Sequence, residues 1–281
     1  MQELTDRVAV VTGGASGIGF ALASAFAAQG MKIVLADIEA PALAEAVGRL
    51  EAAGADVLGV PTDVSDAEQV QALAHDAVER FGAVHVLCNN AGVGGGGLSW
   101  EAPLDMWEWV IGVNMWGVIH GVRSFVPILM QQPEAHVVNT ASVAGLVAGP
   151  FMGPYNASKH AVVALSETLY HEMALMAPHV HVSVLCPGWV RTRIADSARN
   201  RPGAAAADLD AATSGFALAL QPLIDNGMPP EELAETVLEA IREERFWILP
   251  HDDTEPFWRN FVNARAQSLV DRTNPAIRAP Q

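Results

Sequence analysis

Six short apolar runs recur along the first two-thirds of the chain, each followed by a longer segment of helical spacing. They are "RVAVVTG" (7–13), "KIVLAD" (32–37), "DVLGVPTD" (56–63), "HVLCNN" (85–90), "HVVNTAS" (136–142) and "HVSVLCPG" (181–188). Strands this continuously apolar are buried on both faces, which an all-parallel sheet between two helical layers achieves. The expected fold class is therefore α/β, a single doubly wound Rossmann domain of about seven parallel strands with helices on both faces. Right-handed crossovers in such a sheet place ligands beyond the carboxyl ends of the strands. Over 66–82, "DAEQVQALAHDAVERFG" predicts a helix with Ser65 as N-cap and Gly82 as the stop.

After residue 190 the rhythm breaks, and the Ala- and Pro-rich stretch to about 228 shows no clear strand. A helix over 230–244, a short strand in "RFWILP" and an aromatic-flanked tail follow. No internal repeat or linker divides the chain. The expected organisation is one domain over 1–281, with a core at 5–192, a lid at 193–228 and a C-terminal helix, strand and tail at 229–281.

Composition narrows the function. A formal charge of −16 opposes nucleic acid and anionic lipid as partners, because phosphate binding needs clustered Lys and Arg. No apolar run approaches the ~18 residues of a membrane span, and the N-terminus enters a strand at once, unlike a signal peptide. Cytoplasm is the expected compartment. Cys88 and Cys186 each end an apolar run and read as buried hydrophobes. His179 and His181 share a strand face but lack a third ligand at recognisable spacing, so no metal is expected. The acceptor pattern Asn156-Ala157-Ser158 falls in a helix of a chain expected in the cytoplasm, and is discarded as a glycosylation site.

The chemistry-bearing residues start at the first strand-to-helix turn, "TGGASGIG", where Gly13, Gly17 and Gly19 have GxxxGxG spacing around Ser16 and Ile18. Such a turn lets backbone N–H groups approach a pyrophosphate at a helix N-terminus. No Lys-Ser/Thr follows the last glycine, which excludes a P-loop. Asp37 ends the second strand, where a carboxylate can bind adenosine ribose or cap the next helix. It would repel the 2′-phosphate of NADP, and with Ser16 in the turn and Ile38 next in sequence no basic residue is nearby, so NAD is favoured. Asp63-Val64 could reach the adenine amino group or start a turn. Tyr155 and Lys159 lie one helical turn apart in "YNASK". An ammonium beside a phenol lowers the phenol pKa, and an apolar pocket lowers that of the lysine.

"TGGASGIG", Asp63, "NNAG" (89–92), Asn114, Ser142, "YNASK" and "PGWVRT" (187–192) stand in one order over residues 5–192. In this the chain resembles the short-chain dehydrogenase/reductase family. The resemblance implies that Asn89, Asn90, Ala91 and Gly92 steady the central strand and border the adenosine. It also implies that Asn114, Ser142, Tyr155 and Lys159 are the catalytic tetrad, and that Pro187, Gly188, Val190 and Thr192 line the nicotinamide carboxamide. Tyr155 would be the general acid/base, Lys159 would hold the nicotinamide ribose, Ser142 the substrate oxygen, and Asn114 a proton-passing water. Val143, Met152 and Trp189 would border the substrate.

Two departures stand out. The C-terminus lacks the "VDGG" ending of 3-oxoacyl-carrier-protein reductases and runs into a further tail, and Gly94–Gly97 form a glycine run that predicts a mobile pocket wall. The last ~90 residues resemble bacterial family members that oxidise bulky, often aromatic, secondary alcohols. The expected activity is interconversion of such an alcohol and its ketone with NAD, NADP being less favoured. The alternatives are an NADPH-dependent ketone reductase and a catalytically silent nucleotide-binding scaffold. The family also implies a homotetramer or dimer formed through 103–131 and 154–177.

Overall fold

In the computed structural model, which describes residues 1–203, 220–250 and 256–275, every one of the six apolar runs forms a strand. They are β1 (Val8–Thr12), β2 (Lys32–Asp37), β3 (Val57–Pro61), β4 (Val86–Asn89), β5 (Ala135–Thr140) and β6 (Val180–Leu185). The two-residue β7 (Trp247–Ile248) joins them in a seven-stranded sheet of order β3-β2-β1-β4-β5-β6-β7, parallel throughout.

Side-chain alternation explains why these runs are apolar without interruption. On β1, Ala9 and Val11 face one helical layer while Val8 and Val10 face the other. The first layer holds α1 (Gly17–Ala28), α2 (Ala40–Ala52) and α7 (Pro230–Arg242), packed through Leu22, Phe26, Leu43 and Val237. The second holds α3 (Ala67–Phe81), α5 (Gly117–Leu129) and α6 (Gly153–Met176), packed through Leu73, Phe125, Leu129 and Leu169. The short α4 (Leu104–Ile111) leads into α5 through a π turn at Gly112–Trp116, and α8 (Pro256–Asp271) follows β7.

The α3 cap departs from the sequence expectation by one residue. Asp66, not Ser65, accepts the N–H groups of Glu68 and Gln69, while the Ser65 hydroxyl donates back to Asp63. A carboxylate is the stronger acceptor for these N–H groups, and it faces the positive end of the helix dipole. Gly82 ends the helix at φ 78°, as expected.

Cys88 and Cys186 are free and buried, with burial pushing the Cys186 thiol up to about 12. Among the described residues, no helix is long and apolar enough to cross a membrane.

Candidate active site

Because β1 and β4 are neighbours reached by crossovers in opposite directions, the loops after them part and leave a crevice. The cavity there measures about 1000 Å³ and spans the carboxyl ends of six strands. Its lining follows them: Gly13 after β1, Asp37 on β2, Asp63 after β3, Asn90–Gly92 after β4, Ser142 after β5 and Pro187–Val190 after β6. Ser16, Gly17, Ile18, Ile38, Val64, Val143, Met152, Tyr155, Lys159 and Thr192 line it too.

Three predicted site residues, Gly19, Asn89 and Asn114, stand behind the wall instead. Gly19 is buried, and a Cβ there would lie 2.1 Å from the Gly13 carbonyl oxygen, so this glycine lets α1 pack onto its own turn. Asn114 is fully buried and bonds to residues outside its own helix. Its Oδ1 accepts Val93 N (2.8 Å), and its Nδ2 donates to Val93 O (3.0 Å) and Ser158 Oγ (3.1 Å). The π turn around it re-aims the side chain from α5 toward the loop after β4.

The cofactor-type end is held by backbone. Gly13 sits at φ 62°, and a Cβ there would stand 2.8 Å from Ala91 Cα, so only glycine lets the turn pass this close to the β4 loop. Thr12 was absent from the expected site, yet its hydroxyl accepts both Asn90 N (2.9 Å) and Ala91 N (3.1 Å) and ties the loops together. Asn89 donates to Asn139, which donates to Ser166, so the first Asn of "NNAG" steadies strands and the second, through Thr12 O, the turn. Asp37 accepts Ala15 N and Glu39 N at 3.0 Å each, while Asp63 accepts Ser65 N and so also shapes a turn.

The sequence placed no basic residue near Asp37; the fold brings one to Glu39, two residues further on. Arg199, 160 residues away, donates to Glu39 Oε1 together with Asn200, and the Arg199 guanidinium holds the Glu39 carboxyl below its usual range. The 3-10 segment Ile194–Asn200 thus forms a strap across the cavity. Ser197 Oγ accepts Gly94 N at 2.8 Å, and Arg201 pairs with Asp105 on the far side. The glycine run expected to be mobile is anchored three ways. Gly94 meets Ser197, Gly95 packs on Val110 where a Cβ would clash, and Gly97 bridges to Met152.

At the other end, Ser142 caps the 3-10 turn Val143–Gly145 by accepting Ala144 N at 3.1 Å. Lys159 is buried, donates to Thr140 O at 2.9 Å, and is pulled down to about 8 by that burial. Tyr155 differs from expectation. Burial raises its pKa, and the Ser142 hydroxyl only partly counters this. The Lys159 ammonium lies 5.7 Å from the phenol ring centre and donates to the Thr140 carbonyl.

Two His/Asp/Glu clusters occur among the described residues. In one, the fold supplies His181 with Glu134 and Glu244 as the neighbours the sequence lacked, and the Met1 ammonium, 3.0 Å from Glu134, supplies a positive charge there.

Comparison with known proteins agrees with this arrangement. The short chain dehydrogenase family model matches residues 7–203. A 1-deoxy-11-beta-hydroxypentalenate dehydrogenase of Streptomyces avermitilis is 36% identical over 98% of each chain. A C alpha-dehydrogenase of Sphingobium is 32% identical over 100% of this chain and 91% of its own. The crystal structure of a short chain dehydrogenase/reductase from Burkholderia phymatum in complex with NAD has TM-score 0.94 and 48% identity over 98% of each chain. On its sequence, its sheet order and these relatives, the chain belongs to the short chain dehydrogenase family of oxidoreductases.

Proposed function

We propose that the protein interconverts a secondary alcohol bearing a bulky apolar or aromatic body and its ketone, with NAD as cofactor and Tyr155 as general acid/base. The observation that carries the reading is that Ser142, Tyr155 and Lys159 meet in the cavity that also takes in the glycine turn and Asp37. The turn fits a dinucleotide, since Gly13, Ser16, Gly17 and Ile18 line the cavity at the N-terminus of α1, and the Burkholderia relative holds NAD. Bound NAD would supply the acceptor, and NADH the donor, of the hydride at the alcohol carbon.

This chain's residues would do the rest. Ser142 donates a hydrogen bond to the substrate oxygen and steadies its changing charge. Tyr155 takes the hydroxyl proton in oxidation and returns it to the ketone oxygen in reduction. Its phenol, raised by burial, needs a cation to ionise near neutrality, and the Lys159 ammonium, 5.7 Å from the ring centre, would be that cation and would also hold the cofactor ribose. Asn114, fixed by Val93 and Ser158, would orient a water on the path to Lys159. Val147, Met152, Trp109 and Trp189 give the substrate side its apolar character. The Streptomyces relative, named for a hydroxylated substrate, supports an alcohol. The lid reading of 193–228 rests on the strap, since 204–219 lie outside the described residues.

The NADPH-linked reductase has one observation in its favour: Arg193 and Arg199 line the cavity. Both guanidiniums are engaged, by Asp196 and Glu39, and Asp37 would face a 2′-phosphate, so NAD is preferred. Small-molecule turnover in the cytoplasm by a dimer or tetramer completes the reading.

Tyr155→Phe should cut kcat by about 100-fold or more on a secondary-alcohol panel followed by NADH absorbance, with NAD affinity kept. Equal inactivity of both proteins on the whole panel would favour the silent scaffold. Asp37→Ala should narrow the ratio of NAD to NADP kcat/KM; an unchanged ratio would remove Asp37 from cofactor choice.

A further inference from the structure

The C-terminal helix α8 is the part of the chain that the family pattern leaves unexplained, and it carries two side chains aimed at the same place. Phe261 lines the cavity, and Arg265 Nη1 donates to the carbonyl oxygen of Leu146 at 2.6 Å. They are four residues apart, hence on one face of the helix. Leu146 is the C-cap of the 3-10 turn Val143–Gly145, whose N-cap is Ser142. The last carbonyls of a helical turn have no partner within it, and a cation there meets both that lone pair and the negative end of the turn dipole.

A short path links this contact to the Ser142 hydroxyl. Leu146 N donates to Val143 O (2.9 Å), Gly145 N to Ser142 O (2.8 Å), and Ala144 N to Ser142 Oγ (3.1 Å). On its other side the turn rests on α6, where a Cβ on Gly145 would stand 2.6 Å from Lys159 O. The turn is therefore gripped between the helix carrying Tyr155 and Lys159 and the helix carrying Arg265. A single 3-10 turn has few bonds of its own, so its geometry depends on such outside contacts.

We propose that α8 is an active-site element of this enzyme: Arg265 is a positioning residue that caps the Ser142 turn, and Phe261 sets the size of alcohol that fits beside it. This rests on the reading of Ser142 as the group that binds the substrate oxygen. The sequence distance of 119 residues between Arg265 and Leu146 means that the tail after β7 completes a site begun in β5.

The test uses the full-length protein and the variants Arg265→Ala, Arg265→Lys and Phe261→Ala. Amide hydrogen exchange over 143–147 is measured without substrate, and kinetics with NAD use 1-phenylethanol and 2-propanol. Arg265 is exposed, so its replacement should leave the fold intact. Arg265→Ala should speed exchange over 143–147 by about threefold to tenfold, the weight of one hydrogen bond. It should lower kcat for both alcohols by a similar factor while leaving the KM for NAD unchanged, and Arg265→Lys should restore most of both effects. Phe261→Ala should leave that exchange alone and raise the KM for 1-phenylethanol more than that for 2-propanol. Unchanged exchange in Arg265→Ala would overturn the cap, whether or not any alcohol is turned over. Faster exchange with unchanged kcat would overturn the positioning role, and unchanged selectivity in Phe261→Ala would overturn the wall. Inactivity of the wild type on both alcohols would count against the alcohol reading itself, which the exchange result leaves separately legible.

Discussion

His85 and His136 sit uncharged at the sheet, and their surroundings say how the protein meets acid. Burial pulls His136 down to about 3, helped by neighbouring His181 and the N-terminal ammonium, and pulls His85 down to about 4, helped by Arg7. His85 Nδ1 accepts the Val8 N–H at 3.1 Å, a bond that protonation would remove. With folded values below the ordinary 6.5, the unfolded chain binds more protons as pH falls below 6.5, so stability is lost on the way down to 3–4. Inside that window each histidine should cost about 1.4 kcal/mol per pH unit. Urea unfolding at pH 7.5 and 5 should show the loss, and His136→Gln should flatten it; an equal slope in the variant would exclude His136 as its source. Residue type and spacing singled out Tyr155 and Lys159, the family resemblance added Ser142, and the fold brings all three to one cavity. They did not reveal Thr12 or Ser158, whose hydroxyls work only through partners that the fold brings to them.

At the scale of elements, strands were readable and their connections were not. Six apolar runs marked six strands within three residues at each end, because a strand buried on both faces cannot hide its composition. The π turn at Gly112–Trp116 and the strap at Ile194–Asn200 had no such signature, since long-range bonds hold them. Glu39→Gln should loosen the strap. A partly exposed ion pair is worth about 0.2–1 kcal/mol, so opening should become up to roughly fivefold more frequent. The expected readouts are faster hydrogen exchange over 194–200 and faster release of the reduced nicotinamide cofactor by stopped-flow fluorescence. Exchange identical to wild type would mean that Ser197 and Arg201 hold the strap alone.

For the whole molecule, the sequence conveyed layer order and cavity position, because a doubly wound sheet has its crevice where crossovers diverge. It could not convey which surfaces stay uncovered. The segments expected to pair between copies, 103–131 and 154–177, carry exposed Leu104, Trp116, Tyr170 and Met176, the last 73% exposed. Large apolar side chains left exposed on these segments suit contact between copies if they gather on one surface. Sedimentation equilibrium should show a dimer or tetramer that Trp116→Glu weakens; an unaffected mass would move the interface away from α4–α5.

One layer has a consequence for how the chain is made. The apolar face of α1, with Leu22 and Phe26, is covered in part by α7 through Leu233, Val237 and Ile241. Synthesis at 5–20 residues per second separates these two helices by roughly 10–40 s. By the end of that interval, once β6 has been made and before α7, the nascent chain carries six strands with part of one side unroofed, a species open to capture by chaperones or by its own kind. A helix made more than 200 residues after α1 thus decides whether α1 ends up in a core or in an aggregate.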